Sequence, residues 1–217
     1  MSKSERSYDQ WCPVAVGLDL IGDRWVLLVL RELAMGDRRF TDLRGALTGI
    51  APNLLSERLK ALRDAGLIET VELPPPAART VYRLTEEGRH TIPVLRAMAR
   101  FGARHLEGDP DPAFGARRLV HALLLPWWTA GGTEMRARVD VGDGHPVDVT
   151  LSGDRVDVAD AVGTADVTLT ASPAAVAAVR QGGAASALRL SGSASARRSF
   201  LDAFALGSPR PRGRLPR

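Results

Sequence analysis

The sequence predicts an α+β protein in two parts: a helical first half carrying one β-hairpin, then a second half built on an antiparallel-rich sheet. Three observations lead there. Apolar residues recur at helical spacing through most of the first hundred positions, interrupted by two β-rich runs. A polar stretch rich in Pro and Gly follows, "GDPDPAFG", of the kind that joins domains. Beyond it, apolar and polar residues alternate at period two, as in half-buried strands. The 217 residues suffice for two domains of roughly 100–150 residues each. The expected divisions are 1–107, 113–207 and a basic, disordered tail at 208–217.

"PVAVGLDLIG" reads as a first helix, with Pro13 in the first turn, where a missing N–H costs nothing. "DRWVLLVLRELAMG" is apolar almost all round, so the second helix is expected at the buried centre, with Trp25 in the core. "RRF" is short enough for a small strand. "TDLRGALTG" makes a third helix, with Thr41 as its cap. "GIAPNLLSERLKALRDAGLIE" holds the fourth, with Pro52 in its first turn and Gly66 at its end. "LIETVEL" and "RTVYRLT" bracket "PPPAA" as a hairpin whose tip is too long for a two-residue turn. "TEEGRHTIPVLRAMARFGARHLEG" is a fifth helix, capped by Thr85 and kinked at Pro93.

In the second half, "ARRLVHALLLPWW" is an amphipathic helix stopped by Pro126. "EMRARVDV", "HPVDVTL", "DRVDVAD" and "ADVTLTA" are strands. "SPAAVAAVRQGG" and "SASARRSFLDAFALG" are helices on either side of a short strand, "ALRLSG". Helices are expected on one face of the sheet.

Composition excludes several classes. Hydrophobic residues make up 45% of the chain, enough for a packed core. No apolar run approaches the ~20 residues of a membrane span. The start, "MSKSERSYDQW", has no apolar signal region, and one cysteine, Cys12, cannot form an intramolecular disulfide. These features point to the cytoplasm, with no membrane partner. His90, His105, His121 and His145 are scattered, away from metal-ligand spacing. Asp140, Asp148, Asp157, Asp160 and Asp166 fall at expected surface positions. With no phosphate-cradling loop and no nucleophile elbow, neither an enzyme nor a cofactor is expected. The net charge of +4 divides evenly between the halves, so bulk charge argues little for nucleic acid.

The fourth helix carries the functional signal. At about 100° per residue, Leu54, Leu55, Leu59 and Leu62 fall on one face and Asn53, Ser56, Glu57, Lys60 and Arg63 on the other. A helix fits the major groove, where Asn can pair with adenine, Glu can accept from cytosine N4, and Lys or Arg can reach guanine or phosphate. The third helix and the turn "LTGIA" complete a helix-turn-helix. With the hairpin after it, the order is that of a winged helix. Arg38 and Arg39 before the third helix and Arg79 by the hairpin tip are placed for phosphate or minor-groove contacts, with Arg83 following. Ordinary solvated charge is the alternative for each.

The run from Cys12 to about Leu106, with "IGDRW", "RF", "LSERLKALRDAGLIE" and "VYRLTEEGR", resembles the HxlR family of bacterial winged-helix transcription regulators. The resemblance implies a sequence-specific DNA-binding regulator, a repressor, acting as a homodimer through the fifth helix and the N-terminal segment. It implies double-stranded DNA as partner, read by two copies of the fourth helix. Ala51 departs from the Ser or Thr that commonly caps that helix, and the wing is unusually rich in proline. Some members sense oxidants or electrophiles through a cysteine placed like Cys12; an inert, half-buried thiol is the other reading.

"ADVTLTASPAAVAAVRQGGAASALRLSGSASARRSFLDAFAL" resembles the end of sterol-carrier-type domains, which enclose an apolar tunnel. That implies a small hydrophobic ligand. Leu124, Trp127, Trp128, Val176, Phe200 and Phe204 are the candidate lining, together with neighbours such as Leu123 and Leu201; the same residues can equally fill a core. Two functional classes therefore stand: a regulator controlled by such a ligand, and a ligand carrier or sensor that uses its first domain for dimerisation.

Overall fold

The computed structural model describes residues 7–74, 79–108, 114–128, 133–153 and 155–206. The chain divides into two compact units, Met1–Leu95 and Arg96–Arg217. The hairpin tip at 75–78, most of the Pro/Gly-rich stretch (109–113) and the tail at 208–217 lie outside the described residues.

The first unit contains α1 (Pro13–Ile21), α2 (Val26–Ala34), α3 (Phe40–Ala46), α4 (Pro52–Asp64), the antiparallel hairpin β1 (Ile68–Leu73) and β2 (Arg79–Leu84), and α5 (Glu86–Arg89). The core is built mainly from α2 and α4. Val26, Val29, Leu30 and Leu33 meet Leu43, Leu55, Leu59, Leu62 and Ile68 in one buried cluster. Helix α2 is not buried all round, because Leu28 stands exposed and Leu27 is half-buried. Trp25 packs at the edge of this core rather than within it, at the residue before α2, with φ +80°.

Four local expectations change here. "RRF" is not a strand: Arg38 makes a single backbone bridge to Tyr82, and Phe40 already begins α3. Arg39, not Thr41, occupies the capping position, and the Asp42 carboxylate accepts its N–H at 2.9 Å. The fifth helix is two helices. Thr85 caps α5 by accepting from the Gly88 N–H at 3.0 Å, but the chain breaks at His90–Thr91 before α6 (Ile92–Gly102). Pro93 therefore sits in the first turn of α6, where its ring has no preceding turn to clash with. Gly88 is required by close approach, since a Cβ there would lie 1.9 Å from the Leu67 carbonyl oxygen.

The second unit holds a five-stranded sheet in the order β5-β4-β3-β6-β7. Its strands are β3 (Met135–Asp140), β4 (Val147–Ser152), β5 (Arg155–Asp160), β6 (Val167–Thr170) and β7 (Arg189–Gly192). All neighbours are antiparallel except β3 and β6. Alternate residues Met135, Ala137, Val139, Val147, Val149, Leu151, Val167 and Leu169 enter one core with residues of α7 (Ala116–Leu119), α8 (Pro173–Arg180) and α9 (Ala194–Ala203). Ser172 and Ser193 cap α8 and α9, each accepting from the N–H three residues on. The helix expected to end at Pro126 is irregular. After α7 it widens into a π-turn over Val120–Leu124 and tightens into a 3-10 turn over Leu125–Trp127, which contains Pro126.

Asp148 is a further correction: it is buried, not on the surface. It faces Arg138 directly across β3 and β4, accepting from Nε at 2.9 Å and from Nη2 at 3.1 Å. The loop after β5 covers the pair, with the Val162 N–H donating to Asp148 at 3.1 Å and Arg138 donating to the Val162 and Gly163 carbonyls. Burial alone raises the Asp148 pKa. The Arg138 hydrogen bond, the Val162 amide and the charges of Arg138 and Arg136 outweigh it, so the carboxyl lies below its ordinary 3.8. A carboxyl that ionises more readily folded than unfolded contributes stability above its unfolded pKa and loses it as pH falls through the folded one. Asp148→Asn is therefore expected to lower the urea midpoint at neutral pH. Its deficit relative to the parent should shrink as pH drops below 3.8, which denaturation at the two pH values measures.

Candidate nucleic-acid interface

Helices α3 and α4 enclose a turn in which Gly49 adopts φ +91°, while Leu47 and Ile50 are buried on either side of it. Ala51 caps α4 with no side-chain hydrogen bond and Pro52 follows at its first position. The helix keeps Leu55, Leu59 and Leu62 at 3% exposure or less. Asn53, Ser56, Glu57, Lys60 and Arg63 are all exposed, on the face away from those leucines. Ser56 donates to the Pro52 carbonyl at 3.1 Å, one turn back. Lys60 holds Asp64 at 2.7 Å, which lowers the Asp64 pKa through that hydrogen bond.

Sequence-predicted contacts outside α4 fall into two groups. Arg79 is exposed at the start of β2, opposite Leu73. The Arg39 side chain is committed locally, whereas Arg38 is engaged through its backbone. The Arg38 backbone exchanges hydrogen bonds with Tyr82 at 3.1 and 2.7 Å. The Arg39 guanidinium grips Asp42 at 2.7 Å, and this bond is the main reason the Asp42 carboxyl lies below its usual range. Arg83 is likewise engaged, donating to both oxygens of Asp37 at 2.9 and 2.6 Å. That pair joins the base of the hairpin to the α2–α3 turn, and the Arg83 hydrogen bond depresses the Asp37 pKa. As ion pairs open to solvent these are worth little individually. Their effect is orientation: they fix the wing and the start of α3 to the same turn.

Arg58, Asp23 and Arg24, passed over in the sequence, belong to this region. Arg58, on α4, donates to the Arg24 carbonyl at 3.3 Å and meets Asp23 at 3.2 Å. Arg58 falls three residues after Leu55 and one before Leu59, at the border of the leucine stripe, and that spacing is a readable signal of partial burial. Trp25 adopts a left-handed backbone, which costs a bulky residue roughly 1–3 kcal/mol. Nothing in its sequence neighbourhood indicates this.

The resemblance seen in the sequence has independent support. The pattern of the family described as HxlR-like helix-turn-helix matches residues 20–110. An uncharacterized HTH-type transcriptional regulator of Synechocystis is 41% identical over 98 residues, covering 45% of this chain and 73% of that protein. The chain belongs to the HxlR-like helix-turn-helix family. A second relative, YvaP of Bacillus subtilis, is an uncharacterized HTH-type transcriptional regulator 30% identical over 106 residues, covering 48% of this chain and 94% of its own length. Among solved structures, the reduced form of the transcriptional regulator YodB from B. subtilis is 30% identical, with a TM-score of 0.39, covering 46% of this chain and 100% of that one. The HxlR-like region is thus that of a DNA-binding transcriptional regulator, and it occupies the N-terminal region of the chain.

The candidate ligand residues gather in the second unit. Leu124, Trp127, Val176, Phe200 and Phe204 are buried in one cluster, with Trp128 packed at its edge. Phe200 and Phe204 lie 4.9 Å apart, centroid to centroid. One face of Trp127 carries the buried guanidinium of Arg180, 4.1 Å from its ring centroid, and Arg180 also donates to the Leu123 carbonyl at 2.7 Å. Trp128 is covered on one side by Arg96, at 5.7 Å. Cys12 is half-buried at the capping position of α1. No group of three or more His, Cys, Asp or Glu suited to a metal occurs among the described residues, and no described helix is long and apolar enough to cross a membrane.

Asp42→Ala removes the acceptor for the Arg39 N–H at the start of α3. A loss of about 1 kcal/mol, the usual value of a helix-capping bond, is expected in urea denaturation.

Proposed function

We propose that this chain is a homodimeric, sequence-specific repressor that reads duplex DNA with the outer face of α4. The observation that carries the reading is the division of that helix. Its leucines are sealed against α2, while Asn53, Ser56, Glu57, Lys60 and Arg63 all reach solvent from the opposite side. This is the inventory that base edges and phosphates demand of a major-groove helix. Arg79 extends the contact along the wing. Arg38, whose structural bonds are to its backbone alone, is placed for a phosphate or minor-groove contact, and Arg39 contributes chiefly by setting the start of α3.

Dimerisation has its own support in apolar surface. Tyr8, Trp11, Val14 and Leu18 are exposed at and before α1, Trp11 fully, and Val94, Met98 and Phe101 are exposed on α6. Large side chains in such density mark a protein contact. A twofold pair would present two copies of α4 to a roughly palindromic site.

The second unit is proposed as a sterol-carrier-like domain that takes a small hydrophobic ligand. Support comes from its strand, helix, strand, helix ending and its apolar core, which includes Trp127, Phe200 and Phe204. Such a ligand regulates only if it binds the DNA-competent and incompetent arrangements unequally. The half-buried thiol of Cys12, at the start of a helix with an exposed apolar face, supports a second route of control by oxidants. In that case Cys12→Ser retains DNA binding under diamide while the parent loses it.

Gel shifts on DNA upstream of the chain's own reading frame test the main reading. Binding should weaken steeply with salt. Lys60→Ala should weaken binding across all sequences, and Asn53→Ala should relax preference at one base pair, by about 1–3 kcal/mol. Parent-like behaviour in both variants would exclude α4 as the reading helix. In sedimentation, Val14→Asp combined with Leu18→Asp should convert a dimer to monomer and lower operator affinity with it.

A further inference from the structure

The turn between α1 and α2 touches the reading apparatus at two separate points. At the first, Asp23 and the Arg24 carbonyl both engage Arg58, in the middle of α4. At the second, the ring of Trp25 lies against the helix-turn-helix turn: a Cβ built on Gly49 would stand 3.8 Å from Trp25 Cη2. Arg24 covers the same ring, with its guanidinium carbon 5.6 Å from the centroid. The left-handed backbone of Trp25 makes this double contact possible. It reverses the chain sharply enough for the carboxylate of Asp23 and the indole two residues later to reach different parts of one motif. Strain that the surroundings hold in place is a mark of function.

We infer that the Asp23–Trp25 turn is a positioning brace that sets the pitch of α4 in the groove, with Arg58 as its receiving residue. The inference rests on the proposed reading of DNA by α4. Leu55, Leu59 and Leu62 fix the roll of α4 about its own axis, but a row of leucines along one helix face resists tilting much less. Along the helix axis Arg58 falls between Ser56 and Lys60, but it points to the leucine side, so a bond there holds the helix at mid-length from behind its reading face. The guanidinium makes two differently directed contacts, to a carboxylate and to a carbonyl, a geometry that a lysine ammonium on a flexible stem does not reproduce. Neither Asp23 nor Arg58 need touch DNA. Their effect passes through Asn53, Ser56, Glu57 and Lys60, and falls on discrimination between sequences rather than on attraction to duplex DNA.

The test uses the full chain and a duplex that the parent selects from a random pool. Affinity for that duplex and for an unselected one is measured for the parent, Asp23→Asn, Asp23→Glu and Arg58→Lys, alongside the thermal midpoint of each. The brace predicts that Asp23→Asn and Arg58→Lys lower the ratio of selected to unselected affinity about tenfold, the effect of one lost base contact. Affinity for unselected duplex should stay within about twofold of the parent, since the phosphate contacts are intact. Asp23→Glu, which keeps the charge, should recover most of the ratio. An unchanged ratio in both Asp23→Asn and Arg58→Lys overturns the brace. So does a parallel fall in both affinities with a lowered midpoint, or a loss in Asp23→Glu equal to that in Asp23→Asn. A parent that selects no sequence defeats the DNA reading itself, and the brace with it. A parent that selects a site which the variants read equally well defeats the brace alone.

Discussion

Everything about the first unit's outward chemistry depends on the burial of Leu55, Leu59 and Leu62. Each is sealed from water, and burying a leucine stabilises by about 1.5–3 kcal/mol. Successive residues of a helix point about 100° apart, so fixing three of them fixes all the others. Rotating α4 by a single residue position would expose the leucines and draw Ser56 or Lys60 toward Val29 and Leu30. The apolar contact is thus what keeps the polar face polar.

Charge in this unit is used for placement before anything else. Arg39, Lys60 and Arg83 each hold a carboxylate, and Arg58 holds Asp23. That arrangement is consistent with the small net charge of the chain. A surface of this kind has weak long-range attraction for a polyanion, so the proposed reading of sequence relies on short-range geometry. The irregular turn before α2, the bridge between Arg38 and Tyr82, and the pair between Asp37 and Arg83 all supply such geometry.

Element order and the α4 stripe were legible in the sequence because both rest on periodicity, which burial imposes directly. The strands of the second unit were legible for the same reason. Trp25 was not, since an apolar neighbourhood indicates burial but says nothing of a positive φ. The break at His90–Thr91 was hidden because both sides keep helical residues, and Pro93 can open a helix as readily as bend one. Asp148 was misread as surface because alternation counts a carboxylate as outward. Only Arg138, ten positions earlier in the chain, and the covering loop make its burial tolerable. For the candidate site, the exposed face of α4 could be read from spacing. Arg58 bonding to Asp23 could not, because that contact joins residues more than thirty apart.

One consequence follows from Gly88. The Leu67 carbonyl occupies the space that any side chain there would need, and the same carbonyl accepts the Thr85 N–H at 3.1 Å, while the Thr85 hydroxyl reaches the Gly66 carbonyl at 2.6 Å. The exit from α4, the root of the hairpin and the entry to α5 are therefore keyed into a single joint with no slack. Any side chain at position 88 would have to pry these three pieces apart at once.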